Sequence, residues 1–120
     1  MKSLLTVSAF FEGLVGISLM IMPAVVTPLL LGYTIQDPAV KIICGITGAA
    51  LVTLAIGCWS SRNSLPQAAM MCKAMFFYNV AASLVLLYAA LGLELSGIGL
   101  WPAIIAHAGL AVWCTRTFSA

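Results

Sequence analysis

Charged side chains are scarce in this sequence. Five Lys or Arg and three Asp or Glu make up only 7% of its 120 residues. An ordinary soluble domain carries about 25% charged and roughly 45–50% apolar residues, whereas this chain is 63% hydrophobic. A small soluble fold leaves too much surface in water to hide so much apolar area. The shortage of polar residues therefore predicts that lipid surrounds the protein.

Several kinds of functional motif are also missing. The net charge is only +2 and the basic residues are scattered, which argues against nucleic acid as a partner. There is no phosphate-binding glycine loop, zinc-protease motif or serine-hydrolase elbow. A single histidine excludes bis-histidine haem within one chain. The sequence thus offers no catalytic residues, leaves any cofactor unspecified, and favours a protein that is not an enzyme.

Cysteine is present four times, without the short C-x-x-C spacing typical of metal sites. Cys58, Cys72 and Cys114 map near one end of the predicted helices, and Cys44 maps near the other. A thiol with no partner at its own level cannot form a disulfide. We therefore expect buried free thiols and no metal site.

Long apolar segments make up most of the sequence. A bilayer core is about 30 Å thick and needs about 20 mostly apolar residues to cross it. Four segments meet this requirement, at approximately 3–22, 38–59, 66–91 and 101–117. They predict one all-α domain over residues 1–120, an integral membrane bundle of four transmembrane helices.

The ends of the segments carry helix signals. Pro23 and Pro28 interrupt the apolar stretch after the first span, which predicts an elbow or short interfacial helix there. Asp37 before Pro38 is typical of a helix N-cap. The stretch from Ser64 to Gln67 looks like a capping box, and Gly92 suits a helix end. We expect the first span to be retained and not cleaved, because Glu12 interrupts it and no small-x-small site follows.

Basic residues predict the orientation of the bundle. Lys2, Arg62, Lys73 and Arg116 fall on one side of the four-span arrangement, and Lys41 falls on the other. Cytoplasmic loops carry an excess of Lys and Arg. The sequence therefore predicts a multi-pass protein of the bacterial inner membrane with both termini in the cytoplasm.

Small residues recur on one face of each span. Helices in lipid associate through close contact at such residues. In the first span, Ser8 and Gly16 lie on the same face as Glu12, and Gly45 and Gly48 lie in the second span. We predict that these four small residues mediate helix packing, with the larger apolar side chains facing lipid.

A polar cluster at mid-depth is the main candidate site. An ionised residue at the bilayer centre costs roughly 2.5–3.5 kcal/mol on insertion scales, so Glu12 must be protonated, paired or in contact with water. Helix counting puts Glu12, Asn79, its neighbour Tyr78 and His107 at similar depth. Glu12 would serve as a proton carrier, a ligand contact or a counter-ion, and a pair of Glu12 with His107 would suit proton relay or binding of a polar group. The alternative is that hydrogen bonds among them only specify packing.

The whole chain resembles small bacterial four-helix membrane proteins of the DoxX-like type. The residues that carry this resemblance are Phe10-Phe11-Glu12-Gly13, Gly16, Pro23, Leu31-Gly32, Lys41, Gly45, Trp59 to Arg62, Tyr78-Asn79, Trp101-Pro102 and His107. The resemblance implies a four-helix membrane fold. It also implies a link, seen in some relatives, to quinone-dependent oxidation of sulfur compounds. Most of that family has no established activity.

A second resemblance covers the first span alone. Ala9, Glu12, Gly16 and Leu19-Met20 are similar to the first helix of small multidrug transporters, in which a membrane-embedded Glu exchanges protons for cationic drugs. The elbow with Pro23 and the lone His107 depart from that pattern.

Three hypotheses follow. The first is a non-catalytic membrane protein, either an accessory subunit of a larger complex or a binder of a lipophilic ligand between helices. The second is a proton-coupled small-molecule transporter that uses Glu12 and self-associates. The third is a quinone-linked redox subunit, which rests on family analogy. The expected partners are membrane lipids and other membrane chains, as a homo-oligomer or a larger complex.

Overall fold

The computed structural model describes residues 1–118, which form five α-helices and no β-strand. The helices are α1 (Lys2–Ile21), α2 (Pro23–Leu31), α3 (Pro38–Ser61), α4 (Leu65–Leu91) and α5 (Leu100–Phe118). The predicted all-α fold is confirmed, and helices cover all four of the segments that the sequence predicts as spans.

Three of the described helices, α1, α3 and α4, are long and apolar enough to cross a membrane. Helix α5 is not among them, since its 19 residues include His107 and Arg116, which lower its mean hydropathy. Length alone does not set α5 apart, because 19 helical residues extend about 28 Å. The four-span arrangement therefore stays a prediction for this helix.

Proline and glycine set the limits of α2. The chain leaves the helical conformation at Met22, and α2 begins at Pro23, where a residue without an N–H is tolerated. It ends at Gly32, whose φ of 68° lies in the left-handed region that glycine adopts without strain. The segment predicted as an elbow is thus a nine-residue helix. Its location at a membrane interface stays a prediction.

The two predicted N-caps have different outcomes. The carboxylate of Asp37 accepts a hydrogen bond from the backbone N–H of Ala39 at 2.8 Å, as predicted. Ser64 occupies the N-cap position of α4, but its side chain makes no capping hydrogen bond, so the predicted capping box is wrong. Pro66 explains part of the difference, because it occupies the second helical position and has no N–H to donate.

The long helices form two antiparallel pairs. In the first pair, α1 packs on α3, with Phe10 beside Trp59 and Gly16 against Gly48. In the second pair, α4 packs on α5, with Asn79 bonded to His107. The two pairs touch each other less closely than the helices within each pair.

Helices α1 and α3 approach each other closely at Gly16 and Gly48. A Cβ atom on Gly16 would lie 2.7 Å from the carbonyl oxygen of Gly48, and one on Gly48 would lie 2.5 Å from that of Gly16. Both residues thus have the packing position that the sequence predicts. Gly45 does not, because a Cβ there would meet nothing within 4 Å. Gly45 lies about one helical turn before Gly48.

The best-buried core lies where α1 and α4 begin and α3 and α5 end. Leu4, Leu5 and Met75 pack there against three thiols that are 0% exposed, those of Cys58, Cys72 and Cys114. These cysteines share one level, as predicted, and all four cysteines of the described chain are free. Within residues 1–118, no group of His, Cys, Asp and Glu side chains is arranged to hold a metal ion.

Candidate functional site

A cleft of about 550 Å³ opens between α1, α2, α4 and α5. Its walls are mainly apolar, and the polar side chains among its lining residues are Glu12, Ser18, Tyr78 and His107. Pockets that bind small molecules typically measure about 300–1,000 Å³ and combine apolar walls with a few polar groups. The cleft has both properties.

Helix α2 supplies one wall of the cleft through Val26, Leu29 and Leu30. The loop before α5 holds this wall in place, since the backbone N–H of Gly99 donates to the carbonyl oxygen of Leu29 at 2.7 Å. Gly97 lies so close to Leu30 that a Cβ atom would come within 2.3 Å of its backbone. The apolar stretch after the first span is therefore part of the candidate site.

Among the described residues, only one of the two carboxyl oxygens of Glu12 has a hydrogen-bond partner. Tyr78 donates its phenolic O–H to Glu12 Oε2 at 3.1 Å, which joins α1 to α4. The other oxygen, Oε1, is buried and has no hydrogen-bond partner among the described residues, and Glu12 as a whole is 1% exposed. One turn earlier on α1, the buried hydroxyl of Ser8 lacks a partner as well. Two unsatisfied polar atoms thus lie along one face of α1.

His107 is fixed by Asn79. The side-chain amide of Asn79 donates from Nδ2 to the carbonyl oxygen of Met75 at 2.7 Å, which orients its Oδ1 towards His107 Nδ1 at 2.8 Å. A carbonyl oxygen only accepts, so the ring proton of a neutral His107 belongs on Nδ1. The lone pair of Nε2 is then available as an acceptor.

Two aromatic rings enclose the imidazole of His107. The rings of Phe11 and Tyr78 both lie edge-to-face with it, at centroid distances of 5.6 Å. Such contacts add about 0.5–1.5 kcal/mol each beyond area burial. Tyr78 therefore connects two polar pairs, because its hydroxyl bonds Glu12 and its ring packs on His107.

The structure brings all four predicted cluster residues together. Glu12 pairs with Tyr78, Asn79 pairs with His107, and the Tyr78–His107 ring contact joins the two pairs. Asn79 contacts the site without lining the cleft, since its side chain is 0% exposed and is not among the lining residues. The two predicted roles of this cluster, ligand binding and the specification of helix packing, both stay predictions.

Sequence reasoning missed two components of the site. Phe11 precedes Glu12 and contacts His107, but nothing in the sequence distinguishes it from the neighbouring Phe10, which is 68% exposed. The wall formed by α2 was also missed. The close spacing of Gly97 and Gly99 is the one local sign of a tight approach there.

No family model matches the chain, and no curated protein or solved structure matches it either.

Proposed function

We propose that this chain is an integral membrane protein that crosses the bilayer four times and holds a lipophilic molecule in the cleft beside Glu12. The molecule has an apolar body and a polar end that carries a hydroxyl group. This is the ligand-binding form of the first hypothesis. Docking against a larger complex stays a prediction.

The surface of the helices supports the membrane location. Large apolar side chains are exposed along all the long helices, including Leu14, Ile46, Val85 and Ile105. Exposure of this apolar surface to water is unfavourable, whereas its exposure to lipid is favourable. The longest dimension of the molecule is 44 Å, close to the roughly 40–45 Å of a bilayer with its headgroups.

Helix α5 fits the same membrane arrangement. It lies antiparallel to α4, directs His107 inward and exposes Ile105 and Val112. Its least apolar side chain at mid-length is therefore not in contact with lipid. This packing supports α5 as the fourth span.

The unpartnered Oε1 of Glu12 is the observation that carries the proposal. A buried polar atom without a hydrogen bond costs about 1–3 kcal/mol, and a ligand group that bonds to it recovers that free energy. Oε2 already accepts from Tyr78, so a protonated Glu12 donates from Oε1 and an ionised one accepts there. His107 Nε2 accepts. A hydroxyl group both donates and accepts, and so satisfies either state of Glu12.

Extraction of a bound molecule tests the proposal. The protein is purified from its native membranes in mild detergent, and organic extracts are analysed by mass spectrometry. We expect a hydroxylated lipophile, including any quinol, at a ratio near one per chain, and its loss or strong reduction in Glu12→Leu, which removes both oxygens. The matched control is Glu94→Leu, which makes the same change at an exposed loop residue. Equal retention by wild type and Glu12→Leu, or an empty wild-type extract, contradicts the proposal.

The proton-coupled transporter is the second candidate, because no cation pairs with the Glu12 carboxyl among the described residues. A mid-membrane carboxyl without a counter-ion can exchange protons. Glu12→Gln separates the hypotheses, because glutamine keeps a hydrogen-bond donor and acceptor but cannot release a proton. Loss of pH-driven uptake into proteoliposomes in Glu12→Gln, with no lipophile in any extract, favours transport over binding.

A further inference from the structure

A basic recess of about 490 Å³ lies at the end of the bundle where α1 and α4 begin and α3 and α5 end. Lys2, Arg62 and Arg116 line it, together with the ring of Trp113. These three residues are widely separated in the sequence, and the fold brings them together. They are three of the five Lys and Arg residues of the chain.

The positive charge of this recess is not compensated by acidic side chains. The chain has three acidic residues, and none of them lines the recess. Glu12 lies midway along α1 and lines the cleft, Asp37 caps the opposite end of α3, and Glu94 follows α4 at that same opposite end. The recess therefore attracts anions.

An apolar groove adjoins the basic recess. The groove measures about 390 Å³ and lies between α1 and α3, lined by Phe10, Val52, Ile56 and Trp59 among others. Arg62 connects the two sites, because its guanidinium carbon lies 3.4 Å from the centroid of the Trp59 ring. Arg62 also donates to the carbonyl oxygen of Trp59. One of its five N–H groups is used in this way, which leaves others for a ligand.

We infer that the basic recess binds the phosphate of an anionic membrane phospholipid, with one acyl chain in the adjoining groove. Arg and Lys are the usual partners of phosphate oxygens, and Arg binds them in a bidentate manner. Basic pockets between helices on the cytoplasmic side suit anionic headgroups. A free phosphate ion would use the recess but not the groove. The inference rests on the membrane location proposed above and is independent of the cleft.

Lipid retention measured by native mass spectrometry tests this inference. The detergent-purified protein is titrated with phosphatidylglycerol, with zwitterionic phosphatidylcholine of the same chains, and with inorganic phosphate. We expect selective retention of phosphatidylglycerol. Removing one charge, in Lys2→Gln or Arg116→Gln, should weaken retention about fivefold, and removing both should weaken it about twenty-five-fold. Both residues are exposed, so folding should not depend on them.

The matched control is Lys41→Gln, which removes an exposed positive charge near the start of α3. It should retain phosphatidylglycerol as wild type does. Equal retention of the two lipids, or wild-type retention by the Lys2→Gln and Arg116→Gln double variant, overturns the inference. Displacement of phosphatidylglycerol by millimolar inorganic phosphate would show a free-anion site and overturn the lipid assignment.

Discussion

Asn79 determines which nitrogen of His107 carries the ring proton. Its amide is oriented by the carbonyl oxygen of Met75, so it presents an acceptor to His107 Nδ1. His107 lines the cleft, and its Nε2 is left as the acceptor nitrogen of the ring. At the scale of single residues, the candidate site depends on Asn79, a side chain that does not line the cleft.

Replacement of this amide should destabilise the fold. In Asn79→Leu, the Nδ1–H of His107 loses its acceptor in a buried position, which should cost about 1–3 kcal/mol of unfolding free energy. The measurement is reversible unfolding of the purified protein in mixed micelles. The control is Asn63→Leu in the exposed loop between α3 and α4, which should leave stability nearly unchanged. Equal stability of Asn79→Leu and wild type would show that the hydrogen bond contributes nothing.

Residue types and helix counting were enough to select Glu12, Tyr78, Asn79 and His107. The spacing of polar residues along each span fixes their depth, and depth is what brings them to one level. The pairing within the cluster was not predictable, because it depends on how each helix is rotated about its axis. Hydropathy and periodicity constrain that rotation only coarsely. The same limit explains why the unsatisfied oxygen of Glu12 becomes visible only in the folded structure.

At the scale of elements, α1 and α3 pack as closely as their glycines allow. Any side chain at Gly48 meets the backbone of Gly16 and the side chain of Met20. Backbone cannot rotate aside as a flexible side chain does, so the two helices would have to separate. Gly45 on the same helix has open space around it.

This difference gives a matched pair of alanine substitutions on α3. Gly48→Ala should lower the free energy of unfolding by about 1–3 kcal/mol, as overpacking does. Gly45→Ala should leave it unchanged or raise it by up to about 1 kcal/mol, since alanine favours the helix. Unfolding in mixed micelles measures both. Equal effects of the two substitutions would mean that the helices do not meet at Gly16 and Gly48.

The comparison of Gly45 with Gly48 also shows which aspect of helix packing the sequence does not determine. Both glycines satisfy the small-residue pattern for packing in lipid, and the crossing point of α1 and α3 distinguishes them, since an added Cβ atom would meet α1 at Gly48 and nothing within 4 Å at Gly45. Where two helices cross depends on the connection between them, here α2 and the loop that follows it. The boundaries of the long helices were predictable because proline, glycine and Asp37 mark them chemically.

At the scale of the whole molecule, the number of crossings decides where the C-terminus lies. The basic residues Lys2, Arg62 and Arg116 come together at one end of the bundle. This clustering agrees with the predicted cytoplasmic side. If α5 crosses as the fourth span, both termini share that side. If only α1, α3 and α4 cross, the termini lie on opposite sides.

Reporter fusions distinguish these two topologies. Green fluorescent protein fluoresces when fused on the cytoplasmic side, and alkaline phosphatase is active on the outer side. We expect fluorescence for fusions after Asn63 and at the C-terminus, and phosphatase activity for fusions after Gln36 and Glu94. A phosphatase-active fusion at the C-terminus would contradict the fourth span. A fluorescent fusion after Gln36 would contradict the first crossing.

The short helix α2 has a consequence for how a molecule reaches Glu12. Non-helical residues flank α2 at Met22 and Gly32, and one main-chain hydrogen bond ties its end to Gly99. Neither the contact of Gly16 with Gly48 nor the hydrogen bond of Asn79 with His107 involves a residue of α2. Under the proposed function, a molecule dissolved among acyl tails would therefore enter the cleft sideways past α2, whose Val26, Leu29 and Leu30 line it, without passing through water.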